Sequence, residues 1–182
     1  KKWREVTTEK KNAENLNIRA NCQPDCEPPV LVWRVFTLDF ASPEIISVHE
    51  SIISDSGGAH PSNKDVHHNW WLSRSGTIVP SEIFDGTNYL KVIDQYVARF
   101  LKDKQADYIT SKQWKMAANE ARKPVNWGIR ADTLHVTGQG YEYGMGRGFV
   151  EIDIPWHVFG RGLKPDFKAR LKSHKGAITA YQ

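Results

Sequence analysis

The chain has 182 residues, of which 40% are hydrophobic, 11% aromatic and 25% charged, the make-up of one ordinary globular domain with a sizeable core. No apolar run approaches the length of a membrane span, and a formal net charge of +4 with no accompanying motif argues against nucleic acid as a partner. The sequence opens on Lys1 rather than Met, which is expected of a trimmed or mature form.

Residues 1–29 read as an N-terminal extension, with a short helix near Glu9 to Arg19 and an irregular linker closed by Pro28-Pro29. The only cysteines, Cys22 and Cys26, lie in Cys-Gln-Pro-Asp-Cys. A lone pair in a Pro-containing loop reads first as a short local disulfide, which would place the chain in an oxidising compartment. A metal half-site lacks a second cysteine pair, and a redox site would use two intervening residues rather than three. Two free thiols are the remaining reading.

Residues 30–182 read as a single α+β domain with a basic C-terminal tail. Leu31 to Phe40 alternates as a strand, with Phe36, Leu38 and Phe40 on one face and Trp33 and Val35 on the other. After the Ala41-Ser42-Pro43 turn, Ile45 to Ile53 forms a second strand, with Ile46, Val48 and Ile52 expected inward and His49 outward. It runs into Ser54-Asp55-Ser56-Gly57-Gly58-Ala59-His60-Pro61. Gly57 and Gly58 allow a positive φ, Pro61 fixes the exit, and His60 is left able to donate, accept or bind metal near neutral pH. The plainer reading of those eight residues is a Gly-Gly connection with an incidental histidine.

Residues 64–72 give a third strand, and Ser73-Arg74-Ser75-Gly76 turns it into Thr77-Ile78-Val79, which Pro80-Ser81 breaks. From Asn88 the helical period is strong: Leu90, Ile93, Tyr96, Val97, Phe100 and Leu101 recur on one side. A second helix starts at about Ser111, with Thr110 or Ser111 as cap and Trp114 as anchor, and Pro124 ends it. Strands follow at Asn126 to Arg130, Thr133 to Thr137 and Phe149 to Ile154, with a helical turn from Pro155 through Phe159. The basic residues Arg161, Lys164, Lys168, Arg170, Lys172 and Lys175 read as a solvated tail or short helix, or as a patch for anionic wall polymer or lipid headgroups. The expected architecture is an antiparallel sheet with two helices packed on one face.

Between residues 138 and 148, five glycines punctuate a loop holding Tyr141, Glu142, Tyr143, Met145 and Arg147. The glycine spacing matches neither a dinucleotide fingerprint nor a phosphate cradle, so no cofactor is expected. Tyrosines on a Gly-supported loop suit recognition, and Tyr141, Glu142, Tyr143 and Arg147 are the candidate contacts. The alternative is a long hairpin connection with exposed aromatics.

Other constellations are thinner. His67 and His68 are adjacent on a strand and point to opposite faces, so only one could join His60 and Asp55 or Asp65 around a metal. Serines near the turn lack a nucleophile-elbow pattern, and Glu50, Asp55, Glu142 and Glu151 are not visibly paired for glycosidase chemistry. Of Trp70 and Trp71, one must leave the core or pack under a helix; an exposed one suits a sugar ring or a partner's pocket.

Ile-Ile-Ser-Val-His-Glu-Ser followed by Ser-Gly-Gly-Ala-His-Pro, then Asn69-Trp70-Trp71-Leu72, Ile83-Phe84 and Val150-Glu151-Ile152-Asp153-Ile154-Pro155-Trp156, resembles a known family over roughly residues 30 to 165. This is the extracytoplasmic domain-of-unknown-function family found in lysozyme-sensing anti-sigma factors of Gram-positive bacteria. It is also similar to a secreted mycobacterial antigen and to a domain appended to some peptidoglycan deacetylases. The resemblance implies a periplasmic or secreted module whose partner is a muramidase or other wall hydrolase, or a peptidoglycan fragment. By motif match it carries over only His60 with Gly57 and Gly58, and Pro155 with Trp156.

A chain of net charge +4 is not steered toward lysozymes that are themselves basic, unless Glu142, Glu151 and Asp153 form a local acidic patch. With no membrane anchor and no sigma-factor-binding segment visible in the sequence, an inhibitor or immunity protein against a wall hydrolase is expected rather than a full receptor. The competing readings are a wall-glycan or peptide hydrolase using His60, and a structural secreted domain with no small ligand.

Overall fold

The computed structural model describes residues 31–55, 61–105, 110–139 and 149–172. The expected helix at Glu9 to Arg19, the Cys22/Cys26 loop, the Gly57-Gly58-Ala59-His60 turn and the Tyr141 to Arg147 loop lie outside these residues. Contacts divide the chain into two compact units, 1–33 with 53–63 and 34–52 with 64–182. In the first, the Ser54 and Ser62 hydroxyls are hydrogen-bonded to each other. The second contains every described helix.

The α+β expectation holds, with the strands divided between two sheets. One has the order β1-β2-β3-β4, from β1 (Leu31–Ala41), β2 (Ile45–Asp55), β3 (Ser62–Trp71) and β4 (Gly76–Thr77). The other has the order β5-β6-β7, from β5 (Trp127–Ile129), β6 (Thr133–Gln139) and β7 (Phe149–Pro155), with both of its pairings antiparallel. The helices are α1 (Pro80–Ile83), α2 (Tyr89–Gln105), α3 (Ser111–Ala121) and α4 (Pro165–Lys172), with 3₁₀ segments at Pro124–Asn126 and Trp156–Gly162.

The core lies between the helices and the three-stranded sheet. Ile93, Val97 and Leu101, spaced four residues apart on α2, are buried, as are Ala117 and Ala121 on α3. Leu134 faces Ile154 and Val136 faces Ile152 across the β6–β7 pair, and all four are buried in the same cluster. The intervening pairs, His135 with Asp153 and Thr137 with Glu151, therefore point to the opposite side of the sheet. α3 begins as expected: Thr110 Oγ1 accepts from the Gln113 amide at 3.2 Å while Gln113 Oε1 accepts from the Thr110 amide at 2.8 Å, a reciprocal cap.

Three expectations need correction. On β2, Ile45 and Ser47 are fully buried while Ile46 and Val48 are only partly covered, so the inward face is the one carrying His49. The face that packs is polar, and an apolar-inward reading is inverted by it. Pro80-Ser81 opens α1 instead of simply breaking a strand: Pro80 sits in its first turn, where no amide is needed, and Glu82 accepts from the Val79 amide at 3.1 Å. The strand expected at Thr77-Ile78-Val79 shrinks to the two residues of β4, and Ile78 turns into the core. The basic stretch beyond Arg161 takes the helical option as α4 up to Lys172.

Candidate functional site

Two regions carry polar chemistry among the described residues. The first is the polar inward face of β1, β2 and β3 where it meets β5, β6 and β7. His67 is fully buried: its Nδ1 lies 3.0 Å from Asp39 Oδ2 and its Nε2 lies 2.8 Å from Thr137 Oγ1. A carboxylate only accepts, so Nδ1 carries the proton and the Thr137 hydroxyl donates to Nε2. Burial holds His67 below the usual histidine range, against the pull of Asp39, so it stays neutral. For Asp39, burial is outweighed by the His67 hydrogen bond and the nearby Arg130, and the carboxyl is lowered. Arg130 Nε lies 3.5 Å from Asp39 and its Nη1 lies 3.0 Å from Asp153.

Two more histidines flank it. The His49 ring stacks on His67 at 4.7 Å and the His135 ring meets it edge-on at 5.7 Å. His49 Nε2 lies 3.0 Å from Asp65 Oδ1, and this bond raises its pKa against the effect of burial. His135 Nδ1 lies 2.8 Å from Asp153 Oδ1, and that bond is the main reason the Asp153 carboxyl is lowered. Next to these, Ser47 Oγ donates to Asn69 Oδ1 at 2.6 Å, and the Ile129 amide donates to both, at 3.0 and 3.1 Å. Asn69 Nδ2 closes the set by donating to the Trp127 carbonyl at 2.6 Å.

His49, Ser51, Asp65, Thr137, Val150 and Glu151 line a cleft of about 230 Å³ that leads to this cluster. Ser51 Oγ gives its 2.6 Å hydrogen bond to Asp65, the same oxygen that His49 faces. No imidazole is therefore positioned to take a proton from Ser51, and the cleft does not hold a nucleophile–base relay. Among the described residues, no group of three or more His, Cys, Asp or Glu is placed to hold a metal ion.

The second region is the opposite face of β2 and β3. Glu50 bridges Arg34 at 3.1 Å and His68 at 2.8 Å, and His68 stacks parallel on Trp70 at 5.3 Å. The His68 hydrogen bond is the main reason the Glu50 carboxyl is lowered. Trp70 is 36% exposed and Phe36 is 53% exposed, whereas Trp71 is buried. Of the alternatives the sequence left for the paired tryptophans, Trp70 takes the exposed one and Trp71 the buried one. Trp71 instead donates from Nε1 to Glu82 at 2.9 Å, with Arg74 and Arg170 over its ring. His67 and His68 point to opposite faces, as expected of strand neighbours.

Of the site residues expected from sequence, Pro155 and Trp156 are described. Both line a hollow of about 790 Å³ with Asp132, Thr133, His157 and Lys168 among the other walls. Trp156 is mostly core: the residue is 7% exposed and its indole donates to the Arg130 carbonyl at 2.9 Å. Asp39, Asn69 and His135, which complete the buried cluster, were outside the sequence-derived candidates.

Among solved structures, the chain is similar to a member of the DUF3298 family from Bacteroides fragilis NCTC 9343, at 18% identity and a TM-score of 0.64 over 93% of this chain and 67% of that one. The fold is that of DUF3298 proteins. A DUF3298 family protein from Pseudomonas aeruginosa PAO1 matches at 12% identity and a TM-score of 0.52, over 75% of this chain and 64% of that one. The chain thus spans about two thirds of the length of each DUF3298 structure. No protein-family model matches the sequence, and no curated protein does. At these identities the DUF3298 likeness concerns architecture alone.

Proposed function

We propose that this domain is a binding module of the bacterial cell envelope, periplasmic or secreted, that recognises a peptidoglycan-degrading enzyme as an inhibitor, immunity or sensor-type protein. The observation that supports it most is the outer face of β2 and β3. There a half-exposed indole, Trp70, is braced by a stacked imidazole and a fixed Arg34–Glu50–His68 row, with the exposed Phe36 side chain on neighbouring β1. A rigid aromatic beside paired charges is the composition of an interface anchor, because its ordering has already been met by the fold. The resemblance of the Gly-Gly-Ala-His-Pro segment points the same way.

The Ser51, His49 and Asp65 grouping sends its serine to the carboxylate, so it supplies no activated nucleophile for a hydrolase. The test is capture of wall hydrolases, presented as a panel of muramidases and amidases beside insoluble peptidoglycan, by the purified domain. Stoichiometric capture of one hydrolase, lost in Trp70→Ala or in a variant with Tyr141 and Tyr143 both changed to Ala, supports the reading. Retention on peptidoglycan alone would move the partner to a wall glycan. Turnover of peptidoglycan that disappears in His60→Ala would replace the module with an enzyme.

A further inference from the structure

The buried histidine cluster serves neither the outer face nor a catalytic relay, and its position at the meeting of two sheets suggests another role. Asp39 comes from β1, His67 from β3 and Thr137 from β6, so one continuous chain of hydrogen bonds ties strands of both sheets together. We propose that this Asp39–His67–Thr137 chain is a proton-operated clasp, in which neutral His67 holds β1 and β3 against β5 and β6 and uptake of a proton at Nε2 loosens that joint.

The geometry gives three reasons. A proton on Nε2 removes the acceptor that the Thr137 hydroxyl uses, so that hydrogen bond must reverse or break. The new imidazolium is surrounded by groups that determine its energy. Asp39 on β1 favours it. His49 on β2 and His135 on β6 oppose it when charged, as does Arg130 through Asp39. Asp65 on β3 acts through His49, while Asp153 and Glu151 on β7 act through His135 and at the cleft mouth. Finally, the site cannot relax inward, because a β-carbon at Gly128 on β5 would lie 2.7 Å from His67 Nδ1 and 2.8 Å from Asp39 Oδ2.

A route for the proton is also present. The cleft reaches Thr137 and His49, and the His49 side chain is 23% exposed while its ring stacks on His67. The reporter of the joint is the Ile129 amide of β5, which donates to Ser47 and Asn69 of the four-stranded sheet. Its protection from hydrogen exchange falls when the sheets part there.

The experiment pairs histidine ¹⁵N spectra with amide exchange of Ile129 from pH 7.5 to 4.5, corrected for intrinsic exchange. Near neutral pH, His67 is expected as the Nδ1–H tautomer with Nε2 unprotonated and accepting from the Thr137 hydroxyl. Below the ordinary histidine value of 6.5, where the opened joint takes a proton that the closed joint does not, Ile129 protection falls by up to about tenfold per pH unit, the slope of a single linked proton. Protonation of His67 with Ile129 protection unchanged would overturn the proposal. In His67→Gln the acid-dependent loss of protection disappears, and an unchanged loss in that variant would also overturn it. The wild-type measurement decides the matter even if the variant does not fold.

Discussion

Gly128 and His67 leave no room between them. The pairing of β5 with β6 places Gly128 opposite His135, on the side of the sheet facing His67 and Asp39, and a β-carbon there would come within 3 Å of both. The glycine is required for close approach: the clash is with a fully buried imidazole and a buried carboxylate that cannot swing away.

Gly128→Ala is accordingly expected to destabilise the domain by about 1–3 kcal/mol, the usual range for overpacking a filled site. Chemical denaturation would show a lower midpoint with the slope unchanged. A variant as stable as the parent would mean that the sheets are not held this close.

Asn69 joins three partners: the Ser47 hydroxyl, the Ile129 amide and the Trp127 carbonyl. Asn69→Ala leaves buried polar groups without partners, at about 1–3 kcal/mol for such a loss. Thermal unfolding would register it, and Ile129 exchange should rise more than exchange in α2. Equal change at both places would indicate global weakening instead of a local joint.

The paired tryptophans are expected to separate stability from recognition. Trp71→Ala removes a buried indole and costs about 3–5 kcal/mol. Trp70→Ala removes a half-exposed ring and changes stability by about 1 kcal/mol or less while abolishing capture of the partner. Denaturation curves for the two proteins, measured beside the capture assay, check both halves.

Acid dependence follows from opposed signs. Asp39 and Asp153 have lowered values, so their contribution is present above the ordinary carboxylate pKa of 3.8 and is lost as pH falls through their folded values. His67 is also lowered, so its neutral form favours the folded state at neutral pH and that advantage shrinks as pH falls below the ordinary 6.5. His49 is raised, so its contribution is full below 6.5 and is lost as pH rises through its folded value. His49→Gln should therefore steepen the loss of stability on going from pH 7.5 to 5.5, and His67→Gln should flatten or reverse it. The same slope in both variants would contradict these assignments.

Much of the fold was legible in residue order. The helical period from Leu90 to Leu101 gave α2, Thr110 was one of two candidate caps for α3, and the strands read at Thr133 to Thr137 and Phe149 to Ile154 start where β6 and β7 start and stop two residues and one residue short. The division into two sheets was not legible, because pairing partners of short strands such as β5 leave no local mark. The inward face of β2 was misread for a specific reason. Ile46 and Val48 look like core beside Ser47 and His49, and only the matching Asp39, Asp65, His67 and Asn69 on neighbouring strands make a buried polar face satisfiable. The same cooperation hid the histidine cluster, whose members lie as far apart in sequence as Asp39 and Asp153. Gly128 was the one local hint, a glycine inside a strand marking close approach.

The central claim, a protein-binding module that works through the outer face of β2 and β3, is tested most directly by mapping amide shifts as a captured wall hydrolase is titrated into the labelled domain. The account predicts perturbations concentrated at Arg34, Phe36, Glu50, His68 and Trp70, with the β6 and β7 amides quiet. Saturable binding whose shifts instead centre on the hollow beside Trp156, leaving Trp70 and His68 unmoved, would contradict it.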